Sequence, residues 1–402
     1  MLALLSGAEL LGMSLWFTAS AVSPQLAELW DLGPSRTAWL TTVVQLGFVA
    51  GTAFAAALNL ADLLPDRPYF AASALLGACA NAAILIAPTY EVALALRFAT
   101  GFFLAGVYPP AMKMIATWFR SGRGLAIGTI VGALTIGKAT PYLVHAFAQA
   151  SIDFVVSTAS AGAVAAALLV LVGYRPGPYP FARRPFSWRL VGTVMANRPT
   201  RLAIYGYLGH MWELYAMWTL VAAFMVDVFV ARDASAALAL GDMAGFAAIA
   251  AGGVGAVMAG AWADRWGRER VASWAMLISG ACALVTGWLI GSSAWLVVPV
   301  VLLWGYAVVA DSAQFSALVT EVAPPHAVGT ALTLQTSLGF GLTALSIWLT
   351  VEMVARLGWG PAFSVLAVGP LLGIVAMARL RTARRLAGAS ADRGVVHEAT
   401  GP

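Results

Sequence analysis

The 402-residue chain is built from long apolar runs separated by short polar connections. A helix needs about 20 mainly apolar residues to cross the ~30 Å hydrocarbon core of a bilayer, and it must satisfy its own backbone hydrogen bonds there. Twelve runs are long enough, which predicts twelve membrane-spanning helices at residues 2–22, 38–58, 69–87, 92–117, 124–148, 154–173, 202–226, 236–261, 271–290, 294–318, 327–350 and 361–379. With 61% hydrophobic and 10% charged residues, an all-α membrane protein is indicated, and soluble, disordered and coiled-coil classes are excluded.

The arginines predict the orientation of the chain. Seventeen lie in connections and the tail on one side of the predicted spans, and three lie on the other side. The positive-inside rule puts the richer side in the cytoplasm. We therefore expect a multi-pass protein of the cytoplasmic (inner) membrane with both termini in the cytoplasm, and no cleavable signal peptide.

The chain is predicted to consist of two pseudo-symmetric six-helix bundles. Its longest connection falls at the midpoint, and three short motifs recur about 203 residues apart: Glu9-Leu10-x-x-Met13 as Glu213-Leu214-x-x-Met217, Ala61-Asp62 as Ala263-Asp264, and Gly77–Ala80 as Gly280–Ala283. We expect bundles at 1–174 and 201–380, a cytoplasmic linker at 175–200 and a disordered cytoplasmic tail at 381–402. Parallel repeats of this kind are a transporter architecture.

Two motifs resemble those of the major facilitator superfamily. The loop Gly260–Arg270 is similar to the signature Gly-x-x-x-Asp-Arg-x-Gly-Arg-x-Arg, and Arg97-x-x-x-Gly101 followed by Pro109 is similar to the second motif of the family. The resemblance implies the major facilitator fold, secondary transport by alternating access, and a role for Arg97 in proton coupling. The first-half copy of the loop, Asn59–Arg67, lacks the leading glycine, and the Gly-Pro motif of drug exporters is missing from the fifth span.

The signature loop is predicted to form a gate. Asp264, Arg265 and Arg268, with Asp62 in the first-half copy, are suited to charge-assisted bonds to helix ends of the opposite half. Such bonds would hold one conformation and break in the other. The alternative is that these arginines serve the orientation of the chain alone.

Ionisable residues inside the predicted spans are candidates for function, because a charge at bilayer depth costs about 2.5–3.5 kcal/mol. Glu9 and Glu213 occupy matching places in the first helix of each half, and we expect both to carry protons in a central cavity. His210 shares a helical face with Glu213, which predicts a proton-handling pair. The alternative for each is a hydrogen-bonded group that packs two helices together.

Lys138 is the leading candidate for binding an anionic substrate, and the alternative is a purely structural ion pair. Thr135, Lys138, Tyr142 and His145 follow one face of the fifth span, and such a polar stripe must meet water or a partner rather than lipid. Further substrate contacts are expected from Tyr142, from Trp16, Trp212 and Trp218, and from the i, i+3 pair Asp311 and Gln314. Structural roles are favoured for Lys113, His145 and Asp242.

These features predict a secondary active transporter, proton-coupled, that moves a small organic anion or zwitterion. A proton-driven exporter of drugs or metabolites is the alternative, and a transporter-like sensor is a remote one. The chain has no nucleotide-binding loop and no hydrolase spacing, so we expect no enzyme activity, cofactor or metal. Its expected partners are the substrate, protons and the lipid bilayer, without nucleic acid, and the protein is expected to be a monomer.

Overall fold

The structure is a computed structural model that describes residues 1–119, 122–148, 151–179 and 186–399. These residues form helices and contain no strand. Eleven helices are long and apolar enough to cross a membrane, and they correspond to predicted spans 2 to 12: Pro34–Ala57, Asp66–Ile86, Tyr90–Ala116, Gly124–Phe147, Ile152–Gly173, Arg198–Val230, Ala237–Trp266, Arg268–Leu289, Ala294–Val322, Pro325–Leu357 and Trp359–Leu386. Spans are numbered 2 to 12 in this order, and span 1 precedes Pro34.

The first predicted span is broken rather than continuous. It consists of helices Leu2–Met13, Thr18–Ala21 and Ser23–Trp30. The hydroxyl of Ser14 donates to the carbonyl of Leu11 at 2.7 Å, and that of Thr18 donates to the carbonyl of Ser14 at 3.1 Å. Hydroxyl side chains that bond nearby carbonyls compete with regular helix, and these two lie at the interruption between Met13 and Thr18.

Spans 4 and 10 are also interrupted, at matching places in the two halves. Span 4 consists of Tyr90–Leu104 and Tyr108–Ala116, and span 10 of Ala294–Ala310 and Ser312–Val322. Two prolines, Pro109 and Pro110, open the second part of span 4, where their missing N–H groups cost nothing. The apolar runs alone predict unbroken helices here.

The end of the chain differs from the disordered tail that the sequence predicts. The helix that begins at Val368 continues to Ala399. The residues that come after the membrane part are rich in alanine, arginine and leucine, which have high helix propensity.

The spans form two six-helix bundles. Span 1 packs on spans 5 and 6 in the first bundle, and span 7 packs on spans 8, 11 and 12 in the second. Two pairs of helices join the bundles, span 5 with span 8 and span 2 with span 11. We call the end where Arg265, Arg268 and Arg270 lie the arginine-rich end, and the other the opposite end.

Spans 5 and 8 approach backbone to backbone. A Cβ on Gly128 would lie 2.8 Å from the carbonyl oxygen of Ala256, and one on Gly132 would lie 2.8 Å from that of Gly253. Small residues permit this closeness in membrane helices. At these glycines, the main chains of spans 5 and 8, and therefore of the two bundles, are in direct contact.

Candidate functional site

Lys138 lies at the centre of the molecule, between the bundles. It stands 14 residues into span 5, about 21 Å from the helix start at 1.5 Å per residue. Its side chain is 3% exposed, and its Nζ donates to the hydroxyl of Tyr215 on span 7 at 2.5 Å. Nζ also lies 3.9 Å from the centre of the Trp16 ring. A cation of the first bundle is therefore held by aromatic groups of both halves.

Aromatic rings form the walls around this ammonium group. Trp16 contacts Phe48 at 5.3 Å between ring centres, Tyr215 at 5.6 Å and Phe340 at 5.8 Å. Trp218 contacts Tyr215 at 5.2 Å and lies 5.5 Å from Lys138 Nζ. These five rings, which we call the central aromatic cluster, come from spans 1, 2, 7 and 11 and so from both bundles.

Two hydrogen-bond donors in the cluster have no acceptor among the described residues. The indole N–H groups of Trp16 and Trp218 are both buried and unpaired. Buried donors usually find a partner, because an unsatisfied one costs about 1–3 kcal/mol. Two unsatisfied donors therefore belong to the same cluster that holds the Lys138 ammonium.

Glu9 provides the opposite charge in the same region. Its side chain is fully buried, and within the described part of the chain neither carboxylate oxygen has a hydrogen-bond partner. Its charge interacts with Lys138 and with Tyr108 of span 4, but the described ion pairs do not include Glu9 and Lys138 in direct contact. Within the described chain, no hydrogen bond therefore fixes the Glu9 carboxylate to one partner.

Glu213 is held differently from its repeat partner. Its Oε2 accepts from the hydroxyl of Ser279 at 2.7 Å, and its Oε1 accepts from the indole N–H of Trp304 at 2.6 Å. Both donors belong to spans 9 and 10 of its own bundle. The structure therefore separates Glu213 from the Lys138 site, which the sequence predicts the two acids to share.

His210 pairs with Asp311 and not with Glu213. Its Nδ1 lies 2.7 Å from Asp311 Oδ1, and its Nε2 lies 2.9 Å from the hydroxyl of Ser312. Residues three apart share a helix face, but the break in span 10 places two polar groups closer to the imidazole than Glu213 is. Asp311 is thus paired with His210 in the structure, and its role as a substrate contact stays a prediction.

Arg97 holds the break in span 1. Its guanidinium donates to the main-chain carbonyls of Leu15 at 3.0 Å, Leu40 at 3.2 Å and Trp16, and to Asn81 Oδ1 at 3.1 Å. These bonds satisfy carbonyls that the broken helix leaves free. The role in proton coupling that the resemblance implied stays a prediction; the hydrogen bonds show that Arg97 fixes the backbone at Leu15 and Trp16.

The signature loop lies against the first bundle. A Cβ on Gly124, at the start of span 5, would be 2.9 Å from Asp264 Oδ2. A carboxylate at a helix N-terminus is favoured by the helix dipole. Asp264 is also 3.7 Å from Arg268, while Arg265 is exposed at the end of span 8. Asp62 lies in a short helix, Leu60–Leu63, and its side chain is outside the described residues.

Arg268 connects this loop to span 10 of its own bundle. Its Nε donates to Glu321 at 2.7 Å, and its Nη1 donates to Gln314 Oε1 at 3.1 Å. Arg384 reaches Glu269 at 2.7 Å and Glu321 at 3.1 Å. Gln314, expected as a substrate contact, belongs to this network at the arginine-rich end.

A second contact joins spans 5 and 8 at the opposite end. His145 Nδ1 bonds Asp242 Oδ2 at 2.5 Å, and its Nε2 lies 2.7 Å from the side-chain amide of Gln25. Both members of the ion pair are buried. The sequence predicts a separate structural role for each residue and gives no sign that they bridge the bundles.

The remaining candidates lie outside the Lys138 site. Tyr142 is buried and packs against Phe17 with 6.0 Å between ring centres, one turn from Lys138 toward the opposite end. Trp212 donates to the carbonyl of Val365 at 3.1 Å and faces span 12. Trp212 therefore does not contribute to the central aromatic cluster.

Three cluster residues were not predicted from the sequence as substrate contacts: Phe48, Tyr215 and Phe340. An aromatic side chain in an apolar span gives no signal of its own, because it is ordinary packing material. Trp218 was a candidate because it flanks Glu213 in the sequence.

Comparisons with known proteins agree with this architecture. The family model of the Major Facilitator Superfamily matches residues 4–231, more than half of the chain. The niacin transporter NiaP of Acinetobacter baylyi is 30% identical over 93 residues, which cover 23% of this chain. The match spans about a fifth, 21%, of that relative's length.

Three solved structures share the fold at low sequence identity. A variant of the nucleoside transporter NupG has a TM-score of 0.71 at 15% identity and covers 94% of this chain and 99% of its own. A bacterial homologue of the human lysosomal transporter Spinster, in an inward-facing and occupied conformation, scores 0.66 at 14% and covers 96% of each chain. The human organic anion transporter MFSD10 scores 0.65 at 14% and covers 94% and 97%. The chain therefore belongs to the Major Facilitator Superfamily, a family of membrane transporters rather than of enzymes.

Proposed function

We propose that this protein is a proton-coupled transporter of a small aromatic organic anion. Lys138 serves as the counter-ion of the substrate, and Glu9 serves as the proton site. The observation that carries the proposal is the position of the buried Lys138 ammonium, enclosed by aromatic rings of both bundles beside a carboxylate without a hydrogen-bond partner in the described chain.

The donors around Lys138 suit a carboxylate group. The ammonium has three N–H groups and donates one of them to the hydroxyl of Tyr215. The indole N–H groups of Trp16 and Trp218 have no acceptor in the described chain. A bound carboxylate offers two oxygens to these donors. Its charge and its hydrogen-bonding capacity would then be satisfied together.

The walls of the site suit a flat ring. Aromatic side chains pack on one another in offset or edge-to-face arrangements with centres 4.5–7 Å apart, and the cluster already uses that spacing. A planar substrate ring can replace one of these contacts without loss of packing. The partial likeness to a niacin transporter supports the same class, since niacin is an aromatic carboxylate.

Glu9 suits proton coupling because it is buried and its carboxylate has no hydrogen-bond partner in the described chain. An ionised carboxylate in an apolar interior is costly unless it is paired, so substrate and proton occupancy of this region are linked. When Lys138 turns to a substrate anion, Glu9 loses the only nearby positive charge with which it interacts in the described residues and takes up a proton. Anion and proton would then cross together as a neutral pair.

Contacts at both ends of the span 5–span 8 seam fit alternating access. Asp264 sits at the start of span 5, and His145 binds Asp242 at the opposite end, with Lys138 buried between them. Rocking of the two bundles would break one contact at a time and open the site to one side.

Purified protein in liposomes tests the proposal. Radiolabelled niacin and benzoate serve as probes, with nicotinamide as the neutral analogue and cyclohexanecarboxylate as the non-aromatic anion. We expect saturable uptake of an aromatic carboxylate that an inward proton gradient increases, and little uptake of the other two. Equal transport of neutral and anionic rings, or of ring and non-ring anions, would contradict the substrate class.

The two lysines of the chain provide a matched pair of variants. Lys138→Met removes the ammonium at the site, whereas Lys113→Met removes the one that pairs with Asp66 at 3.0 Å near the arginine-rich end. Uptake is expected to be lost in the first variant and kept in the second. Equal uptake by both variants would reject Lys138 as the counter-ion.

A further inference from the structure

An apolar groove lies on the outside of the second bundle, away from the Lys138 site. It encloses about 480 Å³ between spans 7, 11 and 12. Its walls include Leu202, Leu208, Trp212, Leu342 and Leu372. Leu372 is 61% exposed, so the groove opens to the surroundings of the bundle.

The groove has a backbone floor. A Cβ on Gly369 would lie 2.3 Å from the carbonyl oxygen of Gly209, so spans 7 and 12 touch main chain to main chain at this point. Larger side chains, such as those of Trp212 and Leu372, stand on either side. Glycines at the contact and bulky flanks give a furrow that follows the helix axes.

Along the helix axis, the groove is about as long as one bilayer leaflet is thick. Its span 7 wall runs from Leu202 to Trp212, ten residues or about 15 Å of helix. That is half of the ~30 Å hydrocarbon core. Because span 7 starts and span 12 ends at the arginine-rich end, the groove runs from that surface to mid-membrane.

One cation marks the outer end of the groove. Arg379 lines it, is exposed, and has no carboxylate partner among the described ion pairs. Arg379 is the only arginine among the described residues that line the groove. Positive charge at the end of an otherwise apolar furrow is the pattern expected for an anionic headgroup above an acyl chain.

We propose that this groove binds an anionic phospholipid of the leaflet at the arginine-rich end. One acyl chain lies against Leu208 and Leu372, and the phosphate of the headgroup bonds Arg379. A zwitterionic lipid fills the same furrow but offers less net negative charge to Arg379, so the site discriminates by headgroup charge.

The position of the groove connects lipid binding to the transport machinery. Leu342 of its wall directly precedes Thr343. The hydroxyl of Thr343 donates to Gln45 of span 2, which is one of the contacts between the bundles. A bound chain therefore supports the helices that face the other bundle.

Native mass spectrometry of the purified full-length protein tests the proposal. Delipidated protein in neutral detergent is titrated with phosphatidylglycerol and phosphatidylcholine of identical acyl chains. We expect one phosphatidylglycerol to be retained at least about tenfold more tightly than phosphatidylcholine, a difference of about 1.4 kcal/mol. Equal retention of the two lipids would overturn the proposal.

Substitutions in the groove test whether the retained lipid binds there. Arg379→Gln is expected to remove the preference for phosphatidylglycerol and Arg379→Lys to keep most of it, whereas Val375→Trp fills the groove and weakens both lipids. Arg356→Gln is the matched control, because Arg356 pairs with Glu352 at the opposite end. An unchanged preference in Arg379→Gln, or the same loss in the control, would place the lipid elsewhere. Displacement of the bound lipid by niacin would instead make the groove a path for substrate.

Discussion

Replacing Gly128 and Gly132 together by alanine should force spans 5 and 8 apart. The new Cβ atoms would stand 2.8 Å from the carbonyl oxygens of Ala256 and Gly253. Ordinary van der Waals contact begins at 3.4 Å, so each contact must open by about 0.6 Å. Both obstacles are backbone atoms, which cannot rotate out of the way as a side chain can.

The size of the effect can be worked out from the cost of overpacking. Inserting a methyl group into a well-packed interface costs about 1–3 kcal/mol. At the lower end, two methyl groups destabilise the packed arrangement by about 2 kcal/mol, which shifts its equilibrium with a separated arrangement about 30-fold. The population in which the bundles meet along this seam should fall accordingly.

Distances between spin labels measure this shift. Labels at Leu125→Cys and Met258→Cys report on spans 5 and 8, since both side chains are exposed. The background carries Cys79→Ala and Cys282→Ala, which removes the native thiols. We expect a narrow short-distance population in the parent protein and a broader, longer one in the double alanine variant.

The control separates crowding from the general effect of alanine in a helix. A Cβ on Gly341 of span 11 would meet nothing within 4 Å, so Gly341→Ala gains the same helix propensity without a clash. Its distance distribution should equal that of the parent. If the Gly128 and Gly132 variant also kept the parent distribution, the close approach of the two helices would not set the packed state.

Three further changes should separate the roles of the buried polar groups. Arg97→Met leaves at least two buried carbonyls without a hydrogen bond, at a cost of about 1–3 kcal/mol each, so the melting temperature should fall by several degrees. If the variant were as stable as the parent, Arg97 would not have this structural role. His145→Asn breaks the ion pair with Asp242 and should increase cysteine labelling of residues near Lys138 from the opposite end only; labelling equal to that of the parent would dismiss this contact as a gate. Glu213→Gln should keep uptake that responds to a pH gradient, because two donors already hold that carboxylate, and loss of the response would return Glu213 to the proton path.

The helices, the two bundles and the family could be predicted from the sequence, because a chain that crosses a lipid bilayer can adopt few kinds of structure. Runs of about 20 apolar residues must become helices, and the repeat of Glu9-Leu10 as Glu213-Leu214 reflects the relation of the halves. The break in span 1 could not be predicted in the same way. It depends on Arg97, 81 residues away from Trp16, whose carbonyl it binds.

The candidate site could be predicted in part. Lys138, Glu9 and Trp16 stand out as a rare cation, a buried acid and a ring at helical spacing, and the structure brings them together. The partners of His210 and Glu213 come from spans 9 and 10, and no spacing within span 7 specifies them. Helix rotation decides which polar groups meet, and a run of apolar residues fixes rotation poorly.

Net uptake and exchange by Glu9→Gln in liposomes test the central claim most directly. If one proton accompanies each anion, a gradient of one pH unit, about 1.4 kcal/mol, supports about tenfold accumulation of niacin or benzoate by the parent protein. We predict that Glu9→Gln exchanges labelled for unlabelled substrate across the membrane but accumulates none in response to the gradient. Tenfold accumulation by Glu9→Gln would show that the proton travels by another route.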